Sequence, residues 1–322
     1  MKRFLEEWNN DLPYVEVKTS GSTGEPKRMR VEKCRMLNSA RITCDFLGLK
    51  RGDAALLCLS TEYIAGKMMV VRALERGMKL VSIEPQGCPE WEGTVDLAAM
   101  VPLQVWNLLH QCPSRLTHIR HLLIGGGAID ERLEEALQDL PNAVWSTYGM
   151  TETLSHIALR RLNGPTASSW YTPFDSVTLS KTEEGCLVIE APAVHEGQLI
   201  TNDMVELRSD GCFRILGRKD NVICSGGVKI QMEEVERLLR PHLPIPYMIT
   251  RAKDERLGET VVLLMEGGCP DEAKTVCERV LPKYWQPRRI VSVASLPMTA
   301  TGKPARTEAE RLAQKNGDHP HG

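Results

Sequence analysis

The chain has 322 residues, of which 42% are hydrophobic and 25% charged, enough to bury a sizeable core and to form two domains. Forty basic residues balance forty-two acidic ones, so no global field draws the protein toward nucleic acid or an anionic membrane. No apolar run is long enough to span a bilayer, so neither nucleic-acid binding nor membrane insertion is expected, and partners must be read from sites.

The first residues, MKRFLEEWNN, are charged and lack the apolar core of a signal peptide, which points to a cytoplasmic protein. The ten cysteines form no CxxC pair and no grouping of zinc-binding spacing, and they read as reduced thiols that mostly fill core.

The strand-like YVEVK leads into Thr19-Ser20-Gly21-Ser22-Thr23-Gly24-Glu25-Pro26-Lys27. Small residues let backbone N–H groups turn inward as an anion nest, hydroxyls add donors, and a lysine adds a point charge. Such a loop suits the β- and γ-phosphates of a nucleotide. Its spacing is not that of the nucleoside triphosphatase loop, because Pro26 precedes the lysine and no Ser or Thr follows it.

From about residue 30 to 160, helical patterns alternate with the short apolar runs AALLCLS (54–60), KLVSIEP (79–85), AAMVP (98–102), HLLIGGG (121–127) and AVWSTYG (143–149). This alternation predicts βαβ units, a mostly parallel sheet, and ligand-binding loops beyond the carboxyl ends of its strands. Two such ends carry Gly125-Gly126-Gly127-Ala128 and Tyr148-Gly149-Met150-Thr151-Glu152-Thr153. By themselves these could be a plain glycine turn and a strand end followed by a helix cap.

After Pro165 the texture becomes one of short alternating strands, with hairpin turns expected at Glu184-Gly185 and Asp210-Gly211. The stretch GRKDNVICSGGVKI (217–230) then opens a compact α+β region that begins with the helix-like QMEEVERLLRP. The polar tail after Arg306 reads as a frayed helix followed by disorder. The expected fold class is therefore α/β: a large domain over residues 1–217 with a mostly parallel sheet and a β-rich subdomain, a connector at 218–220, and a small α+β domain over 221–322.

Taken in order, these segments resemble the signature motifs of the acyl-adenylate-forming superfamily, which includes acyl- and aryl-CoA ligases, peptide-synthetase adenylation domains and luciferases. Thr19–Lys27 is similar to its phosphate loop, Gly125–Ala128 to its small-residue adenine turn, and Tyr148–Thr153 to its aromatic-Gly-x-Thr-Glu motif. Thr201-Asn202-Asp203 falls where relatives carry a ribose-binding aspartate, ahead of Gly217-Arg218-Lys219-Asp220. Pro297–Arg306 matches the final lysine loop.

The resemblance implies ATP, magnesium and coenzyme A as cofactors and co-substrate, and a small-molecule carboxylate as substrate. Thr19, Ser20, Gly21, Ser22, Thr23, Gly24 and Lys27 would grip phosphates. Gly126, Gly127, Ala128, Tyr148 and Gly149 would hold adenine, with Asp203 at the ribose and Arg218 among the cofactor-binding residues. Thr151 would meet the α-phosphate, Glu152 would assist magnesium, and Lys303 would bridge the attacking carboxylate and the α-phosphate. Those residue types suit the tasks: a ring for a ring, a hydroxyl for an oxyanion, a carboxylate for a hard cation, a compact ammonium where negative charge gathers.

It also implies a mobile C-terminal domain turning about Asp220, with Ser225, Gly226 and Gly227 walling the pantetheine tunnel of a CoA ligase. A Gly turn before a helix is the plainer reading of that loop, and a carrier-protein thiol is the alternative acceptor. Relatives carry a long subdomain before the phosphate loop, whereas only eighteen residues precede it here. Either a compact homologue lacks that subdomain or the sequence is a fragment, and the leading Met and the sequence EVKTSGSTG favour the compact form.

Within the superfamily the chain looks most like the o-succinylbenzoate-CoA ligases of menaquinone biosynthesis. Other acyl- or aryl-CoA ligases, and a nucleotide-binding homologue without catalysis, are the alternatives. A substrate with two carboxylates calls for one fixed cation at the carboxylate that does not react. Lys67 and Arg72 are the candidates, five positions apart on one helix, so at most one is expected to point inward; solvated helix charges are the alternative for each. Tyr63 would line the aryl pocket or pack in the core. Nothing fixes the oligomeric state, and a homo-oligomer is possible.

Overall fold

The computed structural model of the protein describes residues 1–18, 28–127, 129, 131–299 and 304–315. The chain divides into two compact units. The first comprises Met1–Ser180, Val188–Ile200 and Leu207–Arg214; the second comprises Lys181–Leu187, Thr201–Glu206 and Ile215–Gly322.

The first unit opens with helix α1 (Lys2–Trp8), pinned by the buried Phe4. Strands β1 (Tyr14–Lys18) and β2 (Arg28–Glu32) pair antiparallel from Tyr14 opposite Glu32 to Lys18 opposite Arg28. Helix α2 (Lys33–Phe46) buries Met36, Ala40, Thr43 and Cys44, the spacing of a single helical face. Next come β3 (Ala54–Leu57), α3 (Ile64–Arg76), β4 (Lys79–Ser82), β5 (Val95–Met100), α4 (Pro102–Gln111), α5 (Pro113–Leu116), β6 (Ile119–Ile124), α6 (Glu131–Ala136), β7 (Ala143–Gly149), β8 (His156–Arg161) and β9 (Thr172–Pro173).

Their seven strands form one sheet in the order β4-β3-β5-β6-β7-β8-β9. The neighbours from β4 to β7 are parallel, and β8 and β9 run antiparallel. The predicted alternation is thus present, with one boundary corrected. The run AAMVP ends as a strand at Met100, because Pro102 has no N–H to give to the ladder and opens α4 at its first position instead. Parallel pairing sends the carboxyl ends of β3, β5, β6 and β7 to one edge. Since the chain goes from β3 to β4 on one side and then returns to β5 on the other, the loops after β3 and β5 diverge there and leave a crevice.

Strands β10 (Thr178–Lys181), β11 (Cys186–Glu190), β12 (Gln198–Leu207) and β13 (Phe213–Arg218) form a second sheet in sequence order, and its residues are shared between the two units. The expected hairpin turns are both present: Gly185 N–H donates to Thr182 O, and Arg208 N–H donates to Cys212 O.

The second unit adds β14 (Val222–Ser225), β15 (Val228–Gln231), α7 (Met232–Leu239), β16 (Tyr247–Asp254), β17 (Gly258–Glu266), α8 (Pro270–Val280), β18 (Arg289–Val293) and α9 (Arg306–Lys315). Strand β17 lies between β16 and β18 and is covered on both faces. Val261, Leu263 and Met265 pack with α7 and α8, while the alternate residues Val262 and Leu264 pack with α9. The helix expected after Arg306 is present, but it is docked rather than frayed, and residues 316–322 lie outside the described residues. Ala309, Leu312 and Ala313 recur at helical spacing and lay a narrow apolar stripe against β16 and β17, so residues 306–315 form a docked helix.

A directional chain of hydrogen bonds runs through the core of the first unit. Arg72 can only donate, and its Nη2 gives a hydrogen bond to Ser155 Oγ. Ser155 Oγ lies 3.3 Å from His156 Nδ1, and His156 Nε2 lies 3.0 Å from Thr43 Oγ1, whose own proton goes to Ser39 O at 3.1 Å. With Thr43's proton spent on Ser39, the imidazole must donate from Nε2 and accept at Nδ1, so the relay needs neutral His156. Burial, reinforced by the Arg72 cation, holds the imidazole well below its usual pKa.

The linkage sign follows from that depressed value. Above the unfolded pKa of about 6.5 both states are neutral; as pH falls below it, the unfolded chain takes up a proton that the native state refuses. Stability is therefore present at neutral pH and declines toward acid, at up to about 1.4 kcal/mol per pH unit from this group. Urea titrations at a series of pH values should show the decline flattened in His156→Gln, and parallel curves for the two proteins would count against the relay.

Candidate active site

The crevice edge gathers the loops that the sequence singled out in the first unit. Strand β6 delivers Gly125, whose N–H donates to Met100 O at 3.1 Å at the end of the neighbouring strand. A Cβ on Gly125 would collide with Thr147 Oγ1, so only glycine lets β6 and β7 finish this close together. Gly126 and Gly127 follow at the exposed edge. Ala128 lies outside the described residues.

Strand β7 ends in the motif Tyr148–Thr153. A Cβ on Gly149 would run into Ser155 O and the Cα of His156, both backbone, and the β7–β8 register shifts between Tyr148 and Gly149. The chain therefore leaves the sheet at Gly149 and rejoins it at His156 through a tight excursion. Thr153 staples that excursion from inside: its Oγ1 accepts from Met150 N at 3.0 Å and lies 2.7 Å from Ser155 O. Leu154 has φ +66°, the one non-glycine residue in the left-handed region among the described residues. Strain of this kind persists where the surroundings over-determine the backbone, as the buried Thr153 and Leu154 do here. The result is a rigid platform that holds Thr151 half-buried and Glu152 exposed at its apex. Sequence reasoning quoted Thr153 within the motif but gave it no role; its place three residues after Met150, as a hydroxyl able to bond local backbone, was the available signal.

Tyr148 is only 7% exposed. Its ring meets Phe213 edge-on at 5.0 Å between centroids and Tyr171 at 6.0 Å, and Tyr171 is fixed by a 2.7 Å hydrogen bond between its hydroxyl and Ser146 Oγ. Packing thus sets the ring's orientation before any ligand arrives.

Helix α3 starts at this same edge with Tyr63 at its N-cap, 39% exposed. Both candidate cations are buried, Lys67 at 6% exposure and Arg72 at 2%, contrary to the expectations of one inward residue or of solvated charges. Every residue from Gly66 to Ala73 is buried, so the central two turns of α3 are covered on all sides, although Ala65 and Leu74 near its ends are exposed. The two differ in their partners. Lys67 Nζ is 3.2 Å from Glu7 Oε2 on α1 and sits over the Phe4 ring, 4.8 Å from its centroid. Arg72 has Ser155 Oγ and, at 3.7 Å, Met69 Sδ, while its Nε has no partner and no carboxylate pairs with it among the described residues. Desolvation pulls Arg72 down to about 10, which leaves it charged at neutral pH.

In the second unit Arg218 bridges two of the expected residues. Its Nη1 donates to Asp203 Oδ1 at 3.0 Å and its Nη2 to Asp220 Oδ2 at 2.9 Å. Asn202 Nδ2 lies 3.2 and 3.0 Å from the two Asp220 oxygens, a contact the sequence reading missed. Ser225 and Val228 pair across β14 and β15, and Gly226 and Gly227, at φ +56° and +84°, form the two-residue turn between them.

The lysine loop is anchored on both sides. Met298 bridges Pro304, Ala305 N–H donates to Pro297 O at 2.9 Å, and Arg306 grips Glu236 with both terminal nitrogens at 2.7 and 2.9 Å. Lys303 itself lies outside the described residues, as do Thr19, Ser20, Gly21, Ser22, Thr23, Gly24 and Lys27, whose flanks Lys18 and Arg28 pair across the hairpin.

One carboxylate at the apex of a loop suits a magnesium ion that keeps most of its ligands from water and substrate phosphates. Among the described residues no group of three or more acidic, histidine or cysteine side chains could hold a metal by itself. No helix among them is long and apolar enough to cross a membrane.

A 2-succinylbenzoate–CoA ligase of Geobacillus kaustophilus is 29% identical, over 92% of this chain and 69% of the relative, and one of Bacillus cereus strain ATCC 14579 is 24% identical, over 96% and 72%. An acyl-CoA synthetase (AMP-forming)/AMP-acid ligase II-like protein from Dyadobacter fermentans superposes with a TM-score of 0.65 at 32% identity, covering 95% of this chain and 92% of that one. The O-succinylbenzoate coenzyme A synthetase of Bacillus subtilis, solved with ATP and magnesium ion, shares the fold with a TM-score of 0.77 at 23% identity, covering 93% of this chain and 69% of its own. The family model described as AMP-binding enzyme matches residues 6–197, and the chain belongs to that family.

Proposed function

We propose that the protein is an AMP-forming acid–CoA ligase that activates o-succinylbenzoate. The observation that carries the substrate is Arg72: a buried, charged guanidinium, at 2% exposure, that no carboxylate neutralises among the described residues. A substrate with a second, unreacting carboxylate supplies that missing anion, in agreement with the names of the relatives. Lys67, already paired with Glu7, is the weaker candidate, and Tyr63 at the start of α3 is placed to meet an aryl ring.

In the first half-reaction a substrate carboxylate oxygen attacks the α-phosphorus of ATP and pyrophosphate leaves, so an inert anion becomes a mixed anhydride. In the second, the thiol of coenzyme A attacks the acyl carbon and AMP departs. The side chains position groups and compensate charge, as phosphorus chemistry requires. Thr19–Gly24 and Lys27 hold the phosphates; Gly126, Gly127, Ala128, Tyr148 and Gly149 form the adenine site; Asp203 and Arg218 receive the ribose. Thr151 donates to the α-phosphate. Magnesium, when bound through Glu152, supplies charge compensation on the phosphates.

Lys303 offsets charge between the carboxylate and the α-phosphate in the first step only. Residues 221–322 turn about Asp220 between the steps, bringing Ser225-Gly226-Gly227 to the pantetheine. Asp203 and Asp220 share Arg218, Asp220 also accepts from Asn202, and these bonds hold that connector in one arrangement until they are released.

A panel of carboxylic acids offered with ATP, magnesium and coenzyme A should give pyrophosphate and AMP, with o-succinylbenzoate far ahead of acids lacking a second carboxylate. Arg72→Met should erase that preference by a factor on the order of 10–100 in kcat/KM, over and above any loss it causes with acids that lack a second carboxylate. Release of neither product with any acid, beside a working control ligase, refutes the activity; equal rates with benzoate-type monoacids refute the substrate. Lys303→Ala should cut adenylation by on the order of a thousandfold while sparing thioester formation from supplied acyl-adenylate, and equal loss in both steps would remove its assigned role.

A further inference from the structure

The segment between β4 and β5 is tied along α4 in a fixed register. Gln86 O accepts from Gln104 Nε2 at 2.9 Å, Gly87 O from Asn107 Nδ2 at 2.9 Å, and Pro89 O from Arg115 Nη1 at 3.3 Å. Successive carbonyls thus meet side chains that advance along the helix and into α5. Cys88 falls between the second and third ties, and Cys112, at the junction of α4 and α5, falls between Asn107 and Arg115. Both cysteines are half-buried and pack against the same hydrophobic cluster, which also contains Val105, Leu108 and Leu116.

We infer that Cys88 and Cys112 form an oxidisable dithiol that closes into an intramolecular disulfide, stapling the segment after β4 to the end of α4. The oxidant is a peroxide. One thiolate attacks a peroxide oxygen, the O–O bond breaks, and water leaves to give a sulfenic acid. The second sulfur then attacks that sulfur, the S–O bond breaks, and a second water leaves as the S–S bond forms. Two thiols thereby lose two electrons and two protons, and one peroxide is reduced to two waters. Burial, with the neighbouring Cys112 thiol adding to it, pushes the Cys88 pKa up, and the sequence of steps is the same whichever sulfur is attacked first.

The staple reaches the crevice through Gln104. The side chain that donates to Gln86 O also donates to Cys58 O at 3.2 Å and accepts from Val101 N–H at 3.1 Å, joining the ends of β3 and β5. Closing the disulfide would fix one of the three backbone groups that this glutamine holds.

The test needs no assumption about substrate. The reduced full-length protein is exposed to stoichiometric hydrogen peroxide, remaining thiols are alkylated, and the chain is cut after glutamate, which separates the two cysteines because Glu90 and Glu92 lie between them. The expected result is concerted loss of both free thiols and a linked peptide pair that dithiothreitol dissolves. The link should be missing in Cys88→Ser and in Cys112→Ser. Recovery of Cys88 and Cys112 as separate thiols or separate oxidation products, or in disulfides with other cysteines, while the exposed Cys34 and Cys269 have reacted, overturns the proposal.

Discussion

The charge on Arg72 is the constraint around which the first unit is organised. A guanidinium has five donors and no acceptor, so once buried it must find oxygen or sulfur atoms to receive them, and it imposes a direction on every hydrogen bond that follows. Ser155 takes one donor and passes its own proton to His156; the imidazole passes the next to Thr43, and Thr43 to the backbone of α2. Helices α2 and α3 and strand β8 are thereby joined by a relay in which reversing one bond would strand another. Ser155 Oγ and Met69 Sδ receive two of the guanidinium's nitrogens without neutralising the cation, and Nε stays without a partner. What the fold leaves unbalanced is charge, which separates this arginine from Lys67 three ångströms from a carboxylate.

The relay also serves the loop beside it. Ser155 and His156 are the residues against which Gly149 closes, with no room for a side chain, and Thr153 bonds to the carbonyl of Ser155. The platform presenting Thr151 and Glu152 is therefore built on the same few residues that hold Arg72. A change in one is transmitted to the other through backbone atoms, which yield less readily than side chains. This sharing accounts for the left-handed Leu154: the loop has too few residues to leave β7 and return to β8 by a relaxed route.

Much of this organisation was legible in the sequence, because strand spacing and turn chemistry are local properties. The alternation between residues 30 and 160, the hairpin turns near residues 184 and 210, and the order of the glycine-rich and hydroxyl-rich segments all follow from residues close in the chain. What escaped depends on distant partners. The burial of both Lys67 and Arg72 could not be inferred from their spacing on α3, since that spacing describes one helix and says nothing about whether its other side is also covered. The docking of α9 was hidden for a similar reason: its stripe consists of two alanines and a leucine, too little area to stand out in a polar tail until β16 and β17 lie beneath it. Asn202 gave no local sign of its partner at Asp220.

The network in the second unit bears on how a nucleotide could be received there. Asp203 accepts the Nη1–H of Arg218, one donor among the about four positions at which a carboxylate accepts, and ribose hydroxyls are donors of the same kind. Arg218 simultaneously holds Asp220, so any ligand that draws its guanidinium toward Asp203 weakens the hold on the connector. On the proposed roles, ribose recognition and the freedom of residues 218–221 would meet in this one arginine, because it holds Asp203 and Asp220 together.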